Sequence, residues 1–96
     1  VIVRIVHMFF HPNALHEILP LIQRQIRAVE AFPGCIAVKL FRDTNNPDHL
    51  CTISIWEDQG ALEDYRHSSQ FVEVWSVLKR HFAKPPQAYS LKDHSP

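Results

Sequence analysis

The apolar positions change period along the chain, and each change predicts an element. Val1–Phe10 is β-branched and aromatic almost without interruption, which predicts a strand. His11, Pro12 and Asn13 break it, and Asn13 is placed to cap a helix. Leu15, Ile18, Leu19, Ile22, Ile26 and Val29 then recur at helical spacing and predict a long amphipathic helix to about Ala31. Pro20 inside that stretch predicts a kink, or a false start near the first turn. Phe32-Pro33-Gly34 ends the helix. Cys35–Arg42 and His49–Trp56 predict two strands around the polar turn Asp43–Asp48. Asp58 caps a short helix, Gln59 to about Arg66. Ser68 or Ser69 caps another, with the stripe Phe71, Val74, Trp75, Leu78 and Phe82. Pro85-Pro86 closes that helix, and Gln87–Lys92 predicts a last short strand. The order β-α-β-β-α-β predicts an α+β, ferredoxin-like fold, with an antiparallel sheet and its helices on one face. Residues 1–92 read as a single domain and 93–96 as a C-terminal tail.

The faces of the strands carry the next expectation. A hairpin with Leu40 opposite Cys51 puts Ile36, Val38 and Leu40 on one face with Cys51, Ile53 and Ile55. That face is wholly apolar and is expected beneath the helices. The other face then carries Ala37, Lys39, Phe41, Leu50, Thr52, Ser54 and Trp56, which mixes aromatics with small polar groups. The first strand is largely apolar on both faces. One chain has helices for only one face, so the expectation is a homodimer with sheets face to face and a small-molecule pocket between them.

Composition and charge narrow the partners. A chain of 96 residues with 46% hydrophobic content has a core that is marginal when alone. Zero formal net charge predicts no nucleic acid and no anionic membrane surface as partner. No apolar run approaches a membrane span, and the first ten residues lack a basic n-region, so they read as a strand rather than a signal peptide. In the hairpin above, Cys35 lies about five residues, roughly 16 Å, from Cys51, too far for a disulfide. Two reduced thiols predict a cytoplasmic protein. Seven histidines do not make a metal site, because no HxxxH lies within a helix and there is no Cys-x-x-Cys. With only Gly34 and Gly60 there is no phosphate loop, and a serine triad has no motif support.

Three segments carry a resemblance. They are Phe32-Pro33-Gly34-Cys35, Ile53-Ser54-Ile55-Trp56-Glu57-Asp58, and Ala61-Leu62-Glu63-Asp64-Tyr65-Arg66-His67-Ser68 leading to Phe71. With these the chain resembles the antibiotic-biosynthesis-monooxygenase type of dimeric α+β barrel, over nearly its whole length to about Leu91. The family includes quinol oxygenases, haem-degrading enzymes and members of other roles. The haem-degrading branch has an Asn on the first strand, a Trp in the second helical region and an iron-ligating His further on. His7, Tyr65 and Trp75 stand at those positions here, which speaks against haem. The cofactor-free branch oxidises polycyclic phenols or quinols with O₂. The resemblance therefore implies a cofactor-independent monooxygenase acting on a small aromatic hydroxyl compound. The alternatives are a non-catalytic small-ligand-binding or stress-related barrel and, second, a haem-binding or haem-degrading protein.

The candidate catalytic residues are His7, Tyr65 and His67. His7 is the polar exception on the face Val1, Val3, Ile5, Phe9, and an imidazole there could accept a phenolic proton. Its alternative is a buried structural histidine. Tyr65 could hydrogen-bond a substrate oxygen, and His67 could be a second acid or base or a solvated surface residue. The candidate substrate-binding residues are Phe41, Thr52, Ser54 and Trp56. Trp56 could wall a planar ligand or pack in the dimer interface, and the two hydroxyls could serve a ligand or each other. Trp75 reads as core.

Overall fold

A computed structural model describes residues 1–96. The elements are β1 (Ile2–Phe9), α1 (Ala14–Glu30), β2 (Cys35–Arg42), β3 (His49–Trp56), α2 (Gln59–Arg66), α3 (Ser69–Leu78), a 3-10 turn at Lys79–His81, and β4 (Gln87–Leu91). Every strand pair is antiparallel, and the sheet order is β2-β3-β1-β4. The fold is α+β and ferredoxin-like, with the second crossover split into two helices.

Two of the three expected helix caps form. The Asp58 carboxylate accepts from the Ala61 N–H at 2.8 Å, and the Ser68 hydroxyl from the Phe71 N–H at 3.2 Å. Asn13 instead takes the left-handed conformation, φ 71°, and makes no side-chain cap bond. A capping side chain works from extended backbone, which Asn13 lacks. Nor does Pro20 divide α1, which runs unbroken from Ala14 to Glu30. Pro20 lies on the exposed face, where water can reach the carbonyl that loses its donor.

The β2–β3 register differs from the expected one, and a bulge is the reason. Cys35 pairs with Trp56, as the simple hairpin requires, but Ala37 pairs with Ile55, so an extra residue is accommodated at Cys35–Ile36. Beyond it β2 is displaced by one residue against β3, and such a slip exchanges faces. Leu40 therefore stands opposite Thr52, Val38 opposite Ser54, and Phe41 opposite Cys51. The helices cover Val38, Leu40, Leu50, Thr52, Ser54 and Trp56, together with Ile2, Val6, Met8 and Phe10 of the first strand and its flank. The uncovered face carries Val3, Ile5, His7 and Phe9, with Cys51, Ile53, Ile55, Phe41 and Tyr89. Thus Cys51, Ile53 and Ile55 lie outside, and Leu50 and Trp56 inside, the reverse of the sequence expectation. Both cysteines are free.

Gly34 fixes where α2 lands on the sheet. Its φ is +86°, and a Cβ there would lie 2.4 Å from the Ala61 Cβ. Its carbonyl accepts from the Glu57 N–H at 2.9 Å. Gly34→Ala is expected to cost about 2–4 kcal/mol, from strain at positive φ and a methyl clash. A calorimetric scan should find the melting temperature lowered by roughly 10 °C or more. Ala61→Gly in the same chain should recover only the clash.

The core is divided. Met8, Phe10, Leu15, Ile18, Ile22, Leu50 and Leu78 form one buried cluster, and Ile2, Val29, Val38, Trp56 and Leu62 another. Between them the covered face of the sheet carries Arg4, Val6, Thr52, Ser54 and Ala88. Small side chains there do not reach the helices, and a polar pair does not close into a core. A cavity results.

Candidate active site

The cavity holds about 280 Å³, near the lower end for small-molecule pockets. All four strands supply its floor, β2 through Val38, and α1, α2 and α3 its roof. The helices contribute mainly apolar and aromatic groups, among them Ile22, Ile26, Leu62, Phe71, Val74 and Trp75. Polar groups enter from few directions: Arg4, Thr52 and Ser54 from below, and Gln25, Tyr65 and Arg66 from above. It lies within one chain, between sheet and helices, and not between two sheets.

Tyr65 is a polar group of the roof held by packing on three sides and by one hydrogen bond. Its ring stacks on Trp56, with centroids 5.2 Å apart and planes at 24°, and meets Phe32 and Phe71 edge-on. The Gln25 Nε2–H donates to its phenol oxygen at 3.0 Å, which leaves the phenolic hydrogen to donate to a ligand. Burial pushes the Tyr65 phenol above its ordinary value of 10.0, outweighing the Gln25 bond that lowers it, so the group stays a neutral donor. Trp56 is 0% exposed and anchors both sides of the site: its ring props Tyr65, and its indole N–H donates to the Ser54 hydroxyl at 2.9 Å. It is not among the residues that line the cavity.

Thus Tyr65, Thr52 and Ser54 line one cavity, with Trp56 behind them. Three candidates lie elsewhere. Phe41 is 48% exposed on the uncovered face. His67 is exposed at the end of α2, where it bonds the Glu63 carbonyl at 2.8 Å. His7 stands opposite Cys51, with Thr52 and Ser54 on the other side of the sheet. It instead joins a relay across the uncovered face, with His7 Nδ1 2.9 Å from His49 Nε2 and His49 Nδ1 2.9 Å from Asp43 Oδ2. The carboxylate takes the His49 Nδ1–H, so with both rings neutral His49 Nε2 accepts from His7 Nδ1–H. The His49 bond and the Asn45 N–H hold the Asp43 carboxyl below its ordinary value.

Sequence reasoning missed Arg4, Gln25 and Arg66. For Arg4 a signal was present: it is the one charge on the face Ile2, Val6, Met8, Phe10, just as His7 is the polar exception on the other. Desolvation lowers the Arg4 pKa, Arg66 lowers it further, and Glu63 offsets part of this. The guanidinium stays charged, since its ordinary value is far above neutral.

Comparison with known proteins agrees with this architecture. The family model described as antibiotic biosynthesis monooxygenase matches residues 1–75. A crystal structure of an antibiotic biosynthesis monooxygenase superposes with TM-score 0.94 at 25% identity, covering 100% of both chains. A conserved protein from Methanosarcina mazei Go1 superposes with TM-score 0.89 at 22% identity, over 96% of this chain and 92% of the other. A variant of SnoaB, a cofactor-independent oxygenase from Streptomyces nogalater, gives TM-score 0.86 at 15% identity, over 99% of this chain and 94% of its own. No curated protein sequence matches the chain. With its family model matched over most of its length and its fold reproduced end to end, the chain belongs to the antibiotic biosynthesis monooxygenase family.

Proposed function

We propose that the protein is a cofactor-independent monooxygenase that oxidises a small aromatic hydroxyl compound with O₂ in the cavity between its helices and its sheet. The observation that carries this reading is the apolar, aromatic-walled cavity into which the Tyr65 phenol and the Thr52 and Ser54 hydroxyls converge. The likeness to SnoaB, described as a cofactor-independent oxygenase, supports it. In the reaction a phenol gives its proton to solvent at the cavity mouth, and the phenolate oxygen is held by the neutral Tyr65 hydroxyl. The phenolate passes one electron to O₂, and the radical pair joins as a carbon–oxygen bond. Protonation gives a hydroperoxide, which loses water to leave a quinone carbonyl. One oxygen atom of O₂ enters the product and the other leaves as water. The apolar walls exclude bulk water from the radical pair.

No histidine or carboxylate lines the cavity, so its residues act by stabilising the substrate anion. His7, on the other side of the sheet, has no part in the proton transfer. His7→Ala is expected to keep turnover of anthrone, read by oxygen uptake, within about threefold of the parent. A loss of about 10²-fold or more at unchanged melting temperature would return the base to His7.

The proposal includes a homodimer through the uncovered face. Phe41, Tyr89, Leu91 and the bulged Ile36 are all 45–53% exposed there or at its rim, around the half-buried Ile5, Ile53 and Ile55. A contiguous apolar face of this size marks an association surface. Strands about 4.8 Å apart, three of them roughly 26 Å long, give a footprint of about 400–500 Å² per copy, which with two copies comes to about the 1,000 Å² at which a biological interface begins.

A further inference from the structure

Charge is distributed unevenly over the cavity. Its charged lining groups are Arg4 and Arg66, with no carboxylate among the lining residues. Arg66 has a carboxylate partner: its Nη1 lies 3.0 Å from Glu63 Oε1, and that same carboxylate oxygen also accepts from Gln59 Nε2 at 3.0 Å. Arg4 has none. Its Nη1–H donates to the Ser90 hydroxyl at 2.9 Å, a neutral partner, so no carboxylate lies in direct contact with this charge beside an apolar cavity.

The register sets Arg4 in a polar row. It pairs with Ser54 on one side and Ser90 on the other, so the buried Ser54 hydroxyl and the exposed Ser90 hydroxyl flank it on the same side of three neighbouring strands. Each serine oxygen already accepts a hydrogen bond, Ser54 from the Trp56 indole and Ser90 from Arg4. Each hydroxyl hydrogen remains free to donate. The row thus offers a guanidinium fork and two hydroxyl groups free to donate. A planar two-oxygen anion matches that array, since a carboxylate takes paired N–H donors from arginine where a single phenolate oxygen cannot.

We infer that the substrate is an aromatic hydroxy compound that also bears a carboxylate, bound by Arg4 in the Ser54–Arg4–Ser90 row while its rings lie against the aromatic wall. This rests on the cavity being the site proposed above, and it adds the anionic substituent that selects the substrate. Arg4 is then a specificity-determining residue, and Tyr65 serves the reacting hydroxyl.

The test compares two probes of the same shape, 2-naphthoate and 2-naphthamide, by calorimetric titration at pH 7. The parent protein should bind naphthoate at least about tenfold more tightly, in line with a charge-assisted bond. Arg4→Gln should remove the preference by weakening naphthoate and leaving naphthamide nearly unchanged. Arg4→Lys should keep part of it. Equal binding of the two probes by the parent overturns the inference while leaving the cavity as an aromatic site, and this comparison decides even if Arg4→Gln fails to fold. A folded Arg4→Gln protein that keeps the full preference also overturns it. Binding of neither probe overturns both the inference and the proposed function.

Discussion

Tyr65→Phe is expected to lower turnover of an aromatic hydroxyl substrate by about 10²–10³-fold, the loss typical when one donor to a developing anion is removed. The change deletes a single oxygen from a ring held on three sides by Trp56, Phe32 and Phe71, so the packing survives. It leaves the Gln25 amide without its acceptor, at a cost of about 1–2 kcal/mol. Melting should therefore fall by roughly 5–15 °C while the fold remains. The pH dependence comes from the raised Tyr65 pKa. The folded chain holds the phenolic proton more tightly than the unfolded chain, so this stability is fully present below pH 10.0 and is lost as pH rises through the folded value. Denaturant titrations between neutral and strongly alkaline pH should show that loss in the parent and not in Tyr65→Phe. Unchanged turnover in a folded Tyr65→Phe protein would remove Tyr65 from the chemistry.

Ile53→Glu is expected to weaken self-association by about 10³-fold or more. Ile53 lies in the middle of the uncovered face, opposite Ile5 in β1 and Lys39 in β2. In a single chain a carboxylate there is solvated and tolerated. In a two-fold interface it would be buried twice, and each buried ion costs several kcal/mol. Sedimentation velocity at micromolar concentration should find the parent as a dimer and Ile53→Glu as a folded monomer. A parent that sediments as a monomer would contradict the association proposed for this face.

Period and punctuation made the element order legible. Helical spacing from Leu15 to Val29 and the stop at Phe32-Pro33-Gly34 are strong signals, and Asp58 and Ser68 cap where their chemistry suggests. The hydroxyl pair Thr52 and Ser54 belongs with a cavity, as its interruption of an apolar strand suggests. The side of the sheet was not legible, and one residue accounts for it. The bulge at Cys35–Ile36 has no glycine or proline of its own to announce it, yet it shifts β2 by one against β3, so β3 turns its other face to the helices while Val38 and Leu40 keep theirs. Trp56 therefore enters the core, and Phe41 and His7, which stay on the uncovered face, are parted from Thr52 and Ser54. Arg4 is hard to single out because arginine on a strand flanked by apolar residues reads as solvated, and only the split core shows that it borders a cavity. The His7–His49–Asp43 relay joins a strand residue to a turn residue 36 positions away, beyond any local pattern.

Oxygen insertion in the cavity under the helices can be followed by anthrone oxidation under ¹⁸O₂. Mass spectrometry of the anthraquinone would be run for the parent and for Thr52→Trp, whose indole would fill the space between the two core clusters. One ¹⁸O atom is expected per anthraquinone formed by the parent, at a rate well above the protein-free reaction. The rate for folded Thr52→Trp is expected to be lower by about 10²-fold or more, since substrate positioning is lost. Label incorporation at the parent rate in folded Thr52→Trp, or no labelled product above the protein-free reaction, would contradict oxygen insertion in this cavity.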